Sequence, residues 1–273
     1  MALPTVREQM IASICREQFW RHMASKRRTH LDRECANALL VSCLFNRQIG
    51  WTQAMGIVPE LQRRSGIIDT LQLFTELDDI MLEWLMFDYD GEEVGSDART
   101  KDGRPRSLHR YRYMPRLARS AMLTIRDEYQ GDARNIFHDP RSPDGTITGA
   151  DALHRVLAIK GLGTKTGSLF IRVAVCNHTI QLWGGYQGVQ PADDRWVKRV
   201  GHQLGLWRED ADFKTICEVA GRLSFCAPVE VDALFLASDW ACGTERQSCK
   251  DNGLGESCPW LRACTSATNP SIG

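Results

Sequence analysis

The stretch Ile159–Val175, IKGLGTKTGSLFIRVAV, sets two glycines around a leucine and places a lysine shortly after them. Apolar residues recur at helical spacing on both sides, so the pattern predicts two helices joined by a tight Gly-Leu-Gly turn, a helix-hairpin-helix motif. Glycines permit such a turn and leave the backbone N–H groups at the start of the second helix unobstructed. With the helix dipole, these donors suit a DNA phosphate in sequence-independent contact. The DNA contacts predicted here are Gly161, Gly163, Thr164 and Thr166.

Helical periodicity extends over most of the chain, and two-residue alternation is scarce. We therefore predict an all-α protein. The predicted helices span residues 5–24, 32–45, 50–64, 66–86, 113–129, 150–160, 164–176, 195–205, 211–223 and 229–240. The segment Phe87–Ser107 is rich in Gly, Asp and Arg and lacks apolar periodicity, which predicts an exposed loop.

The composition excludes a case based on overall charge. The 273 residues carry 34 Lys and Arg against 34 Asp and Glu, so the net charge favours neither nucleic acid nor membranes as partners. The start of the chain mixes charges into every turn and lacks the apolar run of a signal peptide or spanning helix. We therefore expect an intracellular protein with no membrane partner.

A basic segment, Arg99–Arg119, gives a local case for nucleic acid. It holds eight basic residues against one acidic residue, interleaved with one histidine and two tyrosines. This mixture suits phosphates and unstacked bases, with Arg112 and Arg116 as predicted DNA contacts. Taken alone, the segment is explained more simply as a solvated loop and helix face.

Lys165 has two interpretations. It contacts phosphate, as lysines at this place do in non-enzymatic hairpins, or it is an amine nucleophile that forms a Schiff base with a sugar carbon. The second role requires a pKa lowered from about 10.4 to roughly 7–8, and therefore a partly desolvated site. The turn alone favours the first interpretation.

Two aspartates, Asp193 and Asp194, follow a proline and precede an amphipathic helix. Capping of the helix N-terminus is the default role of a carboxylate here. A carboxylate held ionised by a helix N-terminus also suits a second task, because cleavage of an N-glycosidic bond needs stabilisation of an oxocarbenium-like sugar cation or an oriented water.

Four of the ten cysteines lie near the end of the chain with the spacing C-x6-C-x8-C-x5-C. In a reducing compartment such a set indicates a metal site instead of disulfides. Four thiolates hold a 4Fe–4S cluster or a tetrahedral zinc ion. Because the spacing is not the paired C-x2-C of a zinc ribbon, it favours the iron–sulfur cluster, with zinc as the alternative. The predicted ligands are Cys242, Cys249, Cys258 and Cys264.

Hairpin, lysine, aspartate and cysteines in this order resemble the helix-hairpin-helix DNA glycosylase superfamily, in particular its iron–sulfur branch typified by endonuclease III. The family's hairpin reads L-P-G-h-G-x-K-T-A, and IKGLGTKT puts Lys165 at the place of the lyase lysine. The family motif V-D-x-H-h-x-R-h matches ADDRWVKRV best with Asp194 as the catalytic aspartate, Asp193 being the off-by-one alternative. The segment ALLVSCLFNRQIGWTQA resembles the one whose glutamine enters the gap left by an extruded base, which implies that role for Gln48.

The resemblance implies two helical domains with the active site between them: a six-helix domain over residues 34–180 with the hairpin, and residues 1–33 plus 181–273 with the cluster loop. It implies binding of duplex DNA, with Arg195 among the contacts, and removal of a damaged, mismatched or modified base. Asp194 would support the sugar cation, Lys165 would attack C1′, and elimination would nick the strand as in an AP lyase. No obligate protein partner is implied.

The chain departs from the family in ways that leave the substrate base unassigned. The middle cysteine gap is x8 instead of x2, HTIQLWGGYQGVQ is inserted before the aspartates, and Trp196 replaces the family's histidine. Two other functions therefore stay open: a non-catalytic helix-hairpin-helix DNA-binding protein with a structural metal, and an enzyme of the same fold that alters modified bases. A redox role for the metal is a third alternative.

Overall fold

A computed structural model describes residues 4–25, 31–47, 49–89, 107–176, 180–192, 194–223, 227–240 and 259–260 of the chain. The α-helices are α1 Val6–Ser25, α2 Arg33–Phe45, α3 Trp51–Ser65, α4 Thr70–Glu76, α5 Asp79–Glu83, α6 Met114–Glu128, α7 Gly149–Ala158, α8 Thr164–Cys176, α9 Arg195–Gln203 and α10 Phe213–Leu223. A π-helix spans Trp84–Asp88, and 3-10 helices span Ala133–Phe137 and Pro228–Trp240. Within the described ranges, the strands are β1 Ile147–Thr148 and β2 Leu182–Trp183, which pair. The prediction of an all-α protein is confirmed.

Residue contacts divide the chain into two compact units. The first comprises Met1–Arg27, Thr148–Leu153 and Leu182–Gly273, and the second comprises Arg28–Ile147 and His154–Gln181. We refer to the second as the hairpin unit because it contains the Gly-Leu-Gly turn. No helix in the described part of the chain is long and apolar enough to cross a membrane.

Helix α2 is the central element of the hairpin unit. It begins at Asp32, whose carboxylate accepts a hydrogen bond from the Cys35 N–H at 2.7 Å. From Ala36 to Phe45 all but one residue is buried, and α3, α4, α6 and α8 pack around it. A helix that is apolar on every side is stable only when surrounded by others, so α2 holds the neighbouring helices in place.

The prediction of one continuous helix over residues 66–86 is wrong, because the structure contains α4, α5 and the π-helix in this range. The backbone of Leu77 is extended, which ends α4. Asp78 then caps the start of α5, because its carboxylate accepts a hydrogen bond from the Met81 N–H at 2.7 Å. The predicted exposed loop at 87–107 also begins too early, since Phe87 belongs to the π-helix and is buried. Residues 90–106 of that loop lie outside the described residues.

The other unit is built from α1, α9, α10 and the 3-10 helix Pro228–Trp240. Acidic residues of the 3-10 helix anchor its neighbours: Glu230 accepts from the Trp20 indole at 3.0 Å, and Asp232 accepts from the Ala192 N–H at 2.6 Å. Glu8 of α1 bonds to Arg222 of α10 at 2.6 Å. These contacts fix the segment that leads into α9.

Candidate nucleic-acid interface and catalytic residues

The turn between α7 and α8 is shaped by Gly161. Its φ of +98° is a conformation that residues with a side chain rarely adopt. A Cβ at this position would also lie 3.3 Å from Cδ2 of Leu117 and 3.5 Å from Cδ1 of Leu44. Leu162, between the two glycines, is buried and anchors the turn in the core. The backbone conformation therefore favours glycine at the first position, and the space beside it is tight for a side chain.

Gly163 precedes α8 and provides its N-terminal cap. The Thr166 hydroxyl accepts from the Gly163 N–H at 3.1 Å and lies 3.2 Å from the Gly163 carbonyl, which also accepts from the Gly167 N–H at 2.7 Å. This is the reciprocal half of a capping box, in which the third helical residue reaches back to the cap. Thr166 is buried and Thr164 is half-buried. Thr166 thus stabilises the turn that presents the first turn of α8.

Lys165 lies in the first turn of α8, and its side chain is exposed. The positive end of the helix dipole lies at the same place. Gly161, Gly163, Thr164, Lys165 and Thr166 are therefore brought together at one helix end, as the sequence predicts.

Arg112 and Arg116, the predicted contacts of the basic segment, lie at the start of α6 and face acidic residues. Arg112 forms two hydrogen bonds with the Asp88 carboxylate, at 3.1 and 3.3 Å, which raise the pKa of its guanidinium. Arg116 pairs with Glu83 at 3.1 Å and Asp79 at 3.7 Å. Both arginine side chains are 63% exposed, so these ion pairs stand in solvent.

A row of aromatic rings precedes α6. His109 lies 5.9 Å from Phe45 and 5.7 Å from Tyr111, and Tyr111 stacks on Tyr113 at 5.4 Å between ring centroids. The His109 ring is buried: Nδ1 accepts from the Tyr111 N–H at 3.0 Å, which leaves Nε2 to donate to the Phe45 carbonyl at 3.0 Å. Burial lowers the pKa of His109, so the neutral ring is favoured. The sequence showed only interleaved aromatic residues, not this buried link to the end of α2.

Asp194 is the N-cap of α9. Its Oδ1 accepts from the Trp196 N–H at 2.8 Å, and its carbonyl accepts from the Lys198 N–H at 3.0 Å, so the predicted capping role is present. The side chain is half-buried. Arg195 is exposed, and its guanidinium lies 5.4 Å from the centroid of the Trp196 ring. Asp194 belongs to the first unit, whereas Lys165 belongs to the hairpin unit.

The remaining predicted site residues lie outside the described residues: Gln48, the alternative aspartate Asp193, and Cys242, Cys249, Cys258 and Cys264. The described residues contain no group of three or more His, Cys, Asp or Glu side chains able to hold a metal ion. Next to the cysteines, the described 3-10 helix ends at Trp240, and Trp260 is 1% exposed.

An open pocket of about 710 Å³ lies at the end of α6 in the hairpin unit, and its described lining contains none of the predicted site residues. Its lining includes Glu128, Tyr129, His138 and Arg155. The Arg155 guanidinium donates to the carbonyls of Ile136 and His138 at 3.1 and 2.7 Å, so it links the segment before β1 to α7. These contacts indicate a structural role for Arg155.

Comparison with known proteins identifies the fold. No protein-family model and no curated protein matches the chain. Among solved structures, the chain is similar to a trapped endonuclease III–DNA covalent intermediate, an estranged-adenine complex, with a TM-score of 0.55 and 16% identity over 97% of this chain and 98% of that chain. The chain therefore has the fold of endonuclease III, which confirms the resemblance at the level of the fold.

Proposed function

We propose that this protein is a DNA glycosylase with AP lyase activity that removes a damaged, mismatched or modified base from duplex DNA. One observation carries the proposal: an exposed lysine, Lys165, stands in the first helical turn after a capped Gly-Leu-Gly turn, in a chain with the endonuclease III fold. The similar structure is a covalent intermediate between an enzyme and DNA. A lysine amine is a nucleophile able to form such a bond.

DNA binding begins at the N-terminus of α8, where backbone N–H groups and the helix dipole favour a phosphate. Arg112, Arg116 and Arg195 add positive charge. The acidic partners of Arg112 and Arg116 do not prevent this role, because ion pairs exposed to solvent contribute little to stability and a phosphate competes for the same guanidinium. Gln48 fills the space left in the duplex when the base is extruded.

The proposed chemistry gives a separate role to each of two side chains. The Asp194 carboxylate, which caps the N-terminus of α9, stabilises the positive charge that develops on the sugar as the glycosidic bond breaks and its electron pair leaves with the base. The Lys165 amine donates its lone pair to C1′ and loses a proton, which gives a Schiff base after ring opening. In the elimination that follows, C2′ loses a proton to water, the C–H electron pair becomes the C2′=C3′ double bond, the C3′–O bond breaks, and the downstream strand leaves with its 5′ phosphate. Bound DNA covers the exposed Lys165 and shields the reacting amine from water.

The four terminal cysteines fit a metal centre by their chemistry, since four thiols are the donor set of a 4Fe–4S cluster and also of a structural zinc ion. Cys242, Cys249, Cys258 and Cys264 would hold the group. When bound, it cross-links the end of the chain and takes no part in the steps at the sugar. Trp260, which lies between the third and fourth cysteine in the sequence, is buried.

The test is borohydride trapping of the purified protein on duplex DNA with one abasic site, which requires no knowledge of the target base. Wild type should give a covalent complex, and Lys165→Arg should give none, because arginine keeps the positive charge but lacks the amine. Lys160→Gln is the matched control, since Lys160 is exposed and directly precedes Gly161. It should trap as wild type does.

The outcomes separate the alternatives. If Lys165→Arg traps as well as wild type, another amine is the nucleophile and this assignment is wrong. If wild type binds DNA without trapping, Lys165 contacts phosphate, and mass spectrometry of treated lesion-bearing DNA distinguishes the remaining functions. A released base then indicates a glycosylase without lyase activity, an altered base indicates a modifying enzyme, and unchanged DNA indicates a binding protein.

A further inference from the structure

Arg47 connects two segments to which the proposed function gives separate tasks. Its guanidinium Nη2 donates a hydrogen bond to the carbonyl of Gly161, 114 positions away in the sequence. Arg47 directly precedes Gln48 in the chain, and Gly161 is the first glycine of the hairpin turn. The side chain is half-buried, so the bond is partly shielded from water.

The backbone of Arg47 is held at the end of α2. Its backbone N–H donates to the Phe45 carbonyl at 2.6 Å, and the same carbonyl accepts from Nε2 of His109 at 3.0 Å. Phe45 is the last residue of α2, the buried central helix. Arg47 therefore extends from a rigid support, which reduces the conformational entropy lost when its guanidinium is held at the turn.

The turn has two anchors of different kinds. The side chains of Leu44 and Leu117 lie next to the turn, within 3.5 Å of where a Cβ on Gly161 would stand, and limit the space into which the turn can move. The Arg47 bond restrains the orientation of the peptide group after Gly161, which apolar contacts do not fix. A guanidinium beside a turn carbonyl also offsets the repulsion between that oxygen and an approaching phosphate.

We propose that Arg47 is a positioning residue that ties the end of α2 to the hairpin turn, so that the first turn of α8 holds Lys165 in the orientation that the covalent step needs. This inference rests on the proposed function. Its effect acts through the turn, so loss of Arg47 should impair the covalent step more than the binding of DNA.

The experiment compares wild type, Arg47→Met and Arg47→Lys in single-turnover borohydride trapping over a range of abasic-DNA concentrations. Methionine keeps most of the apolar stem and removes the donor. We expect the maximal trapping rate to fall about tenfold in Arg47→Met, the change in rate for a hydrogen bond to a charged group, while the half-saturating DNA concentration changes less than about twofold. Arg47→Lys should recover part of the rate, since an ammonium group still donates to a carbonyl.

Arg155→Met is the matched control. Arg155 also donates from a half-buried guanidinium to backbone carbonyls in the hairpin unit, but it holds the segment before β1. Its removal should leave the trapping rate at saturation unchanged. An equal loss in Arg155→Met and Arg47→Met would mean general destabilisation and would overturn the proposal. If Arg47→Met instead changes only the half-saturating DNA concentration, with a smaller salt dependence of binding, Arg47 contacts phosphate directly. That result would overturn the proposal as well.

Hydrogen exchange of the DNA-free proteins separates failure of this inference from failure of the proposed function. Peptides covering Gly161–Thr164 should exchange faster in Arg47→Met than in wild type, whereas Arg155→Met should not change them. Wild type that does not trap refutes the lyase proposal, and the exchange result then decides by itself whether Arg47 holds the turn. Unchanged exchange in Arg47→Met refutes the inference whether or not wild type traps.

Discussion

Substitutions of Asp194 separate helix capping from catalysis. The carboxylate accepts from the Trp196 N–H at 2.8 Å, and an asparagine carbonyl oxygen accepts the same bond. Asp194→Asn should therefore change the free energy of unfolding by less than about 0.5 kcal/mol. Asp194→Ala removes the cap and should cost about 1 kcal/mol. At roughly 2 cal/mol/K of unfolding entropy per residue, this lowers the melting temperature by about 2 °C for a chain of this length.

The effect on activity should follow charge instead of stability. Both variants remove the carboxylate that we propose stabilises the sugar cation, so both should release a base at least about 100-fold more slowly than wild type. The assay measures base release by mass spectrometry in single turnover, on the lesion-bearing duplex that wild type cleaves best. Thermal denaturation of the same preparations gives the stability change.

An unrelated cap provides the control. Asp78 caps α5 through a 2.7 Å bond from the Met81 N–H, so Asp78→Ala should cost a similar free energy of unfolding and leave base release intact. If Asp194→Asn releases base at the wild-type rate, the carboxylate is only a cap, and the mechanism proposed for Asp194 is refuted.

Three other measurements test the structure. A Cβ on Gly201 would lie 1.9 Å from Cζ2 of the buried Trp207, so Gly201→Ala should lower the free energy of unfolding by about 1–3 kcal/mol in urea denaturation. A Cβ on Gly221 would have no atom of the described neighbouring residues within 4 Å, so Gly221→Ala should raise the free energy of unfolding by about 0.5–1 kcal/mol. Burial lowers the pKa of His109, so its neutral form contributes stability above the unfolded pKa of about 6.5, and this is lost as pH falls. Melting temperatures should thus fall less between pH 7.5 and 5.5 in His109→Gln than in wild type, and equal falls would contradict this prediction. Elemental analysis of the full chain should find iron and sulfide, less of both in Cys242→Ser, and zinc alone would assign the alternative metal.

The parts predicted correctly from the sequence are those set by short-range chemistry. The first glycine of the Gly-Leu-Gly turn, Gly161, stands where the backbone has a positive φ, and Asp194 begins α9 through a bond two residues ahead. Each signal lies within a few residues of the structure it produces. Such signals can be recognised in the sequence without knowledge of the rest of the fold.

The errors arise where two local signals compete. Apolar periodicity runs through residues 66–86 and predicts one helix, but Asp69 and Asp78 each cap a helix start within that range. A capping carboxylate stabilises a new start at the cost of continuity, and periodicity does not register that break. The same periodicity ends before Phe87, whose burial depends on the π-helix and on neighbours distant in sequence.

The contacts of the basic segment and of Arg47 have no sequence signal, because both depend on segments brought together by folding. Acidic and basic runs lie next to each other in the chain, yet Arg116 meets Glu83 through the packing of α5 against α6, and Arg112 meets Asp88 at the end of the π-helix. In the sequence, Arg47 has no feature that distinguishes it from an ordinary surface cation. Its contact with Gly161 follows from the packing of α2 against α8. Motifs in the sequence thus suggest candidate DNA contacts. The residues that hold these motifs in position are identified only from tertiary contacts. For this chain, variants of Arg47 therefore test the assembled site, and variants of Lys165 test its chemistry.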